Sequence, residues 1–243
     1  MQIKTIIKNF LNQTSKEGFF KTCGSLYRRI HERYSEWRLG INTKATNESE
    51  QSNPNDGGYK YYAATHYSNF HKLIQQLRID PKENVFLDYG AGMGRAMILA
   101  ATYPFQRVLG IEITDQLCEL AKENIKQALN RGKLRCRKVE IINCDATSYA
   151  LPSDVTILYF YNPFYGKILE LVLDQIKASL QVCPRTLYFL CYLPHASAFE
   201  DQISKCDWLI QLKSSVLDET NKYVIFLATP DHSANDVTHP PAS

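Results

Sequence analysis

Residues 85–96 read VFLDYGAGMGRA: an apolar run, an aspartate, and glycines at 90, 92 and 94. Glycines at that spacing let a ligand approach the backbone closely and permit positive φ. A helix starting after Gly94 would add unsatisfied N–H groups and a partial positive charge. Glu112 follows 18 residues beyond Gly94. There, at the end of the next predicted strand, a carboxylate can accept both hydroxyls of a ribose. The chemistry indicated is the grip on a nucleoside-containing cofactor. A purely structural strand-to-helix turn beside a surface glutamate is the alternative, and the order of strand, turn, helix and acid argues against it. The spacing is G-x-G-x-G with Asp88 two residues ahead, whereas the dinucleotide fingerprint is G-x-G-x-x-G.

A second candidate cluster is Asn162-Pro163-Phe164, which closes a run of apolar and aromatic residues. Asn-Pro can simply terminate a strand. Its Asn can also present a carbonyl to a substrate N–H. His66 and Tyr161 are candidate bases by placement alone. Seven cysteines are scattered without a C-x-x-C pair, and the six histidines sit singly. No metal site is expected, and the cysteines read as reduced, mostly buried thiols of a cytoplasmic protein.

These residues need a scaffold. Strands are predicted at 84–88, 107–113, 139–143, 155–161, 186–192, 208–216 and 222–228, with helices at 67–77, 95–103, 114–129, 167–180 and 196–206. In the helix at 114–129, Leu117, Leu120, Ala121, Ile125 and Ala128 fall on one face. Continuous apolar strands alternating with amphipathic helices indicate an α/β fold. The expected form is a doubly wound, mostly parallel seven-stranded sheet, closed by two strands near enough to pair antiparallel.

The chain of 243 residues is 44% hydrophobic, enough for a sizeable core, and carries a net charge of +3. Its pI of about 8.4 is too mild to indicate nucleic acid. The positive charge lies at one end, since residues 1–40 hold eight Lys/Arg and three Glu. Helical spacing at 3–11 and 20–37 makes residues 1–41 a basic helical arm. Such an arm either packs on the domain or contacts a membrane surface or an acidic partner. The packed reading is preferred. Residues 42–58 read as a flexible linker, 59–228 as the catalytic domain and 229–243 as a disordered tail. No apolar run approaches the length of a membrane span, and the opening residues do not read as a secretory signal.

With these features together, the sequence resembles the class I S-adenosylmethionine-dependent methyltransferases, which have a Rossmann-like fold, over residues 60–228. VFLDYGAGMGRA resembles their first motif, GIEI (110–113) the second, INCDA (142–146) the third and YFYNPF (159–164) the fourth. The resemblance implies S-adenosylmethionine as cofactor. Gly90, Ala91, Gly92 and Gly94 would form its turn, and Asp88 would lie near its aminoacyl end. Glu112 and Ile113 would lie at the ribose, Asp145 and Ala146 at the adenine. Tyr62 and Thr65, in YYAATHYSNF, resemble a segment that closes over the methionine end in some protein-lysine methyltransferases of this fold. Asn162, Pro163 and Phe164 resemble the loop that holds the target nitrogen in amino-group methyltransferases, with the aromatic packing on substrate. The implied activity is methyl transfer to an acceptor nitrogen, a protein side chain being one candidate. A small-molecule O- or N-methyltransferase, a Rossmann-type oxidoreductase and a non-catalytic binding protein are the alternatives.

Overall fold

The computed structural model describes residues 19–44 and 64–230. The predicted helix at 3–11, Tyr62, residues 45–58 of the expected linker and residues 231–243 of the tail lie outside the described residues.

The described strands are β1 (Val85–Tyr89), β2 (Arg107–Glu112), β3 (Val139–Asn143), β4 (Ile157–Phe160), β5 (Leu187–Pro194), β6 (Ile210–Val216) and β7 (Asn221–Ala228). They form one seven-stranded sheet in the order β3-β2-β1-β4-β5-β7-β6. The first five run parallel, and β7 lies antiparallel between β5 and β6. Every residue of β1 and β4 is buried. Coverage on both faces is why these strands read as unbroken apolar runs and not as alternation. The winding reverses between β1 and β4, so a crevice opens at their carboxyl ends. β6 closes the sheet. All its residues after Ile210 are exposed, and a bulge falls between Gln211 and Lys213.

One face of the sheet is covered by α1 (Phe19–Leu39), α2 (Tyr67–Gln75), α3 (Arg95–Ala101) and α4 (Asp115–Asn130). The other is covered by α5 (Lys167–Val182) and α6 (Ala198–Ile203). All seven residues of α3 are buried. The buried face of α4 carries Cys118, Ala121, Asn124, Ile125 and Ala128, whereas Leu120 is exposed. The helix is thus rotated from the expected leucine stripe, because Asn124 turns inward to hydrogen-bond other backbone.

The described part of the basic arm, from residue 19 on, packs on the domain. Arg95, the first residue of α3, is 5% exposed. Its guanidinium donates to Glu36 Oε1 at 3.0 Å, Thr43 Oγ1 at 2.6 Å, the Thr43 carbonyl at 3.2 Å and the Thr65 carbonyl at 3.2 Å. It also stands 5.0 Å over the Tyr67 ring. Asn42 donates its N–H to Asn124 Oδ1, and Asn124 Nδ2 donates to the carbonyls of Asn42 and Met93. Asn42 and Thr43, at the start of the expected linker, are instead hydrogen-bonded to the domain. Thr43 is fully buried, satisfied by Glu36 and Arg95, although its neighbours in sequence are polar.

Candidate active site

The glycine turn is drawn tight by backbone it shares with β2. Gly90, Gly92 and Gly94 have φ of 78°, 53° and 79°. The N–H groups of Gly90 and Ala91 both donate to the Ile111 carbonyl at 2.9 Å. Gly92 N–H donates to Glu112 Oε2 and Thr114 N–H to Glu112 Oε1, each at 2.9 Å. Glu112 thus has a structural task that its sequence position did not reveal. Each of its carboxylate oxygens retains a second acceptor direction, so the same group can still meet ribose hydroxyls.

Asp88 is 3% exposed and accepts no hydrogen bond from the described residues. Burial, and then the charge of Glu112, push its carboxyl well above the ordinary carboxylate range. A buried carboxyl that no described residue satisfies, beside this turn, suits an ammonium ligand such as the aminoacyl end of S-adenosylmethionine. Asp145 sits beyond β3, where the Cys144 N–H donates to the Glu112 carbonyl. Its Oδ1 accepts from the N–H and the hydroxyl of Thr147, both at 2.8 Å. Ala146 is buried, and Ile113 is 45% exposed. Asn143 was not anticipated. It donates to the carbonyls of Glu112 and Ile113, fastening the end of β2.

The Asn162-Pro163 step lies directly against this turn, since a Cβ at Gly90 would stand 2.8 Å from Pro163 Cβ. Gly90→Ala combines that overlap with a positive φ. It is expected to cost about 2–4 kcal/mol in urea unfolding, and an unchanged midpoint would mean the loop yields. Asn162 has φ of 44°, a conformation asparagine tolerates better than most residues. Its Oδ1 accepts from Ser197 Oγ at 3.0 Å, a partner on the turn before α6 that no motif marks.

The same left-handed residue overturns one expectation. Phe164 is 2% exposed and packs edge-on against Tyr89 and Phe160 in the core under α5. It cannot present its ring to a substrate, because the turn at Asn162 sends it to the opposite face of the sheet. The aromatics near the crevice are instead Tyr161 and Tyr192, with ring centroids 4.5 Å apart. Asn69 Nδ2 donates to Tyr192 Oη and to Asp218 Oδ2, each at 3.1 Å. Burial opposes ionisation of Asp218, but hydrogen bonds from Thr220 and Asn221 outweigh it and bring the carboxyl to about 2. Asp218 is therefore an anion at neutral pH.

Of the two candidate bases, Tyr161 is held protonated and His66 is oriented through its Nδ1. Burial, then the Asp218 charge, push the Tyr161 phenol up to about 12, so it stays protonated near neutrality. His66 Nδ1 is tied to Glu32 Oε1 of α1 at 2.5 Å. Thr65 shares a 2.9 Å hydrogen bond with the Tyr159 hydroxyl, on the Asp88 side of the sheet. Among the described residues, no three His, Cys, Asp or Glu side chains converge as metal ligands would.

The sheet order and the glycine turn after β1 are those of a class I methyltransferase fold, to which solved S-adenosylmethionine-dependent enzymes are similar. More particularly, the model of the family described as Histone methylation protein DOT1 matches residues 47–159. No curated protein matches the chain significantly. Several solved structures share its fold. An RNA methyltransferase from Salinibacter ruber, in complex with S-adenosyl-L-homocysteine, aligns with TM-score 0.50 and 18% identity, covering 73% of this chain and 100% of that one. A putative RNA methyltransferase from Pyrococcus horikoshii aligns with TM-score 0.52 and 14% identity, covering 82% and 98%. A SAM-dependent methyltransferase from Aquifex aeolicus aligns with TM-score 0.51 and 12% identity, covering 66% and 89%.

Proposed function

We propose that this protein methylates a nitrogen on a protein side chain. The observation that carries the reading is that Pro163, the residue after Asn162, lies against the glycine turn, with anionic Asp218 and the Tyr161–Tyr192 pair near the same strand ends. When bound, S-adenosylmethionine supplies a methyl group already activated on a sulfonium. Asp88 would hold the ammonium of its aminoacyl end, Glu112 its ribose, and Asp145 with Ala146 its adenine. Ile113, half-exposed at the end of β2, would border the adenosine.

The chain's remaining work is alignment and exclusion of water. One lone pair of Asn162 Oδ1 is taken by Ser197, and the other is available to accept an acceptor's N–H and so turn its lone pair toward the methyl. Asp218 would attract a cationic amine as it approaches. The amine gives its proton to water, and its freed lone pair forms the new N–C bond as the S–C bond of the cofactor breaks and S-adenosylhomocysteine leaves. The two tyrosines would limit further water. The Asp218 charge favours a lysine-like acceptor over the phosphate-rich backbone of RNA, and the family match supports a protein substrate.

The test is incubation of the full chain with methyl-labelled cofactor and cell lysate, sorting label into protein, nucleic acid and small molecules. Label should enter protein, acid-stable on a nitrogen. Asn162→Gly, which keeps the backbone conformation, should lower turnover about 100-fold while S-adenosylhomocysteine affinity stays within about two-fold, since the change touches the acceptor side only. Label in RNA or metabolites, or unchanged turnover in the variant, would overturn the reading.

A further inference from the structure

α1 has two faces, and among the described residues the domain packs against one of them. Ser35, Glu36 and Leu39 are buried against it, and Glu32 pairs with His66. On the other side Tyr27, Ile30, Tyr34 and Trp37 are 57–70% exposed, and Leu26 is 39% exposed. At 3.6 residues per turn these five side chains fall within an arc of about 100°, and they run along roughly 15 Å of helix. Arg29 and Arg33 flank the stripe on one side and Arg38 on the other, all exposed.

The helix's charges are sorted in the same way. Both of its acids, Glu32 and Glu36, turn toward the domain, where Glu32 is hydrogen-bonded to the His66 ring and Glu36 is paired with Arg95. The arginines are left facing outward around an apolar seam. A stripe of Ile, Leu, Tyr and Trp bordered by cations is the composition of a helix lying in a lipid interface.

We propose that α1 rests on an anionic bilayer surface. Its aromatic stripe enters the headgroup region, and Arg29, Arg33 and Arg38 meet lipid phosphates. The match is one of charge and depth together. Nucleic acid would reward the arginines but gain nothing from Ile30 and Leu26, and an acidic protein surface offers no apolar layer. Because the stripe is opposite the docked face, the domain can stay fastened to α1 while the helix lies on lipid. The catalytic crevice is then held at a membrane, which restricts acceptors to proteins that come there.

The experiment is sedimentation of the full chain with phosphatidylcholine vesicles, with and without phosphatidylglycerol, at low and high salt. Binding should require the anionic lipid and weaken with salt. Each Arg→Gln change at 29, 33 or 38 should weaken it about five-fold. The pair Ile30→Ser and Trp37→Ser should weaken it at least about ten-fold, and brominated lipid should quench Trp37 emission in the unaltered chain. These positions are exposed, so S-adenosylhomocysteine affinity should not move, and a failure here leaves the methyl-transfer reading untouched. No association with anionic vesicles would overturn the proposal. So would binding that the serine changes leave intact, or displacement from vesicles by single-stranded RNA without loss of affinity for it in the serine variant.

Discussion

Arg95→Met should destabilise the protein by about 3–5 kcal/mol, because it strands a buried carboxylate. Glu36 lies 7% exposed beneath α1, and Arg95 is its charged partner. What would remain are the N–H and hydroxyl of Thr43, each at 3.1 Å, too little to hold an ion away from water. The double change Arg95→Met with Glu36→Leu removes both charges and should recover most of the loss. Urea unfolding of the three proteins decides it. A loss under about 1 kcal/mol in the single variant would mean that water reaches the pair.

Asp88→Asn should move stability and cofactor binding in opposite directions. The Asp88 carboxyl is buried and accepts no hydrogen bond among the described residues, and burial followed by the Glu112 charge raises its pKa. An acid whose folded pKa is raised costs nothing below its unfolded pKa, near 3.9. It penalises the fold increasingly as pH rises from there toward the folded value. The neutral amide escapes that penalty, so the ligand-free variant should gain about 1–2 kcal/mol at neutral pH, or some 2–8 °C in Tm. The gain should vanish below about pH 4. Under the proposed role, S-adenosylmethionine affinity should fall roughly 30-fold or more as a charge-assisted contact is lost. Calorimetry on both proteins across pH tests the two halves separately. A variant that binds cofactor normally would remove Asp88 from the site. One that loses stability at neutral pH would show that the carboxylate has a partner in solution.

Much of this architecture was legible because the strands are buried on both faces. β1 and β4 announce themselves as apolar runs, and the glycine turn and Glu112 fall where a doubly wound sheet needs them. What escaped depends on direction and distance. The sequence Asn-Pro-Phe marks a turn but not its hand, so the left-handed Asn162 sends Phe164 into the core. The rotation of α4 that buries Cys118 and frees Leu120 follows from Asn124 reaching Asn42, 82 residues away. The Glu36–Arg95 pair spans 59 residues. An arginine opening a helix opposes the helix dipole, but nothing in the sequence says which residue answers it.

The bulged outer strand β6 bears on how this protein survives at high concentration. A sheet edge is a template on which another chain can assemble, and the danger grows with a flat, apolar, regular edge. Here the ladder is interrupted between Gln211 and Lys213, and a lysine stands at the break. Two copies brought edge to edge would meet a kink in the backbone and like charge. The most vulnerable hydrogen-bonding groups of the sheet are thereby guarded against self-association, and Lys213→Val should make the protein more prone to form β-rich aggregates on mild heating.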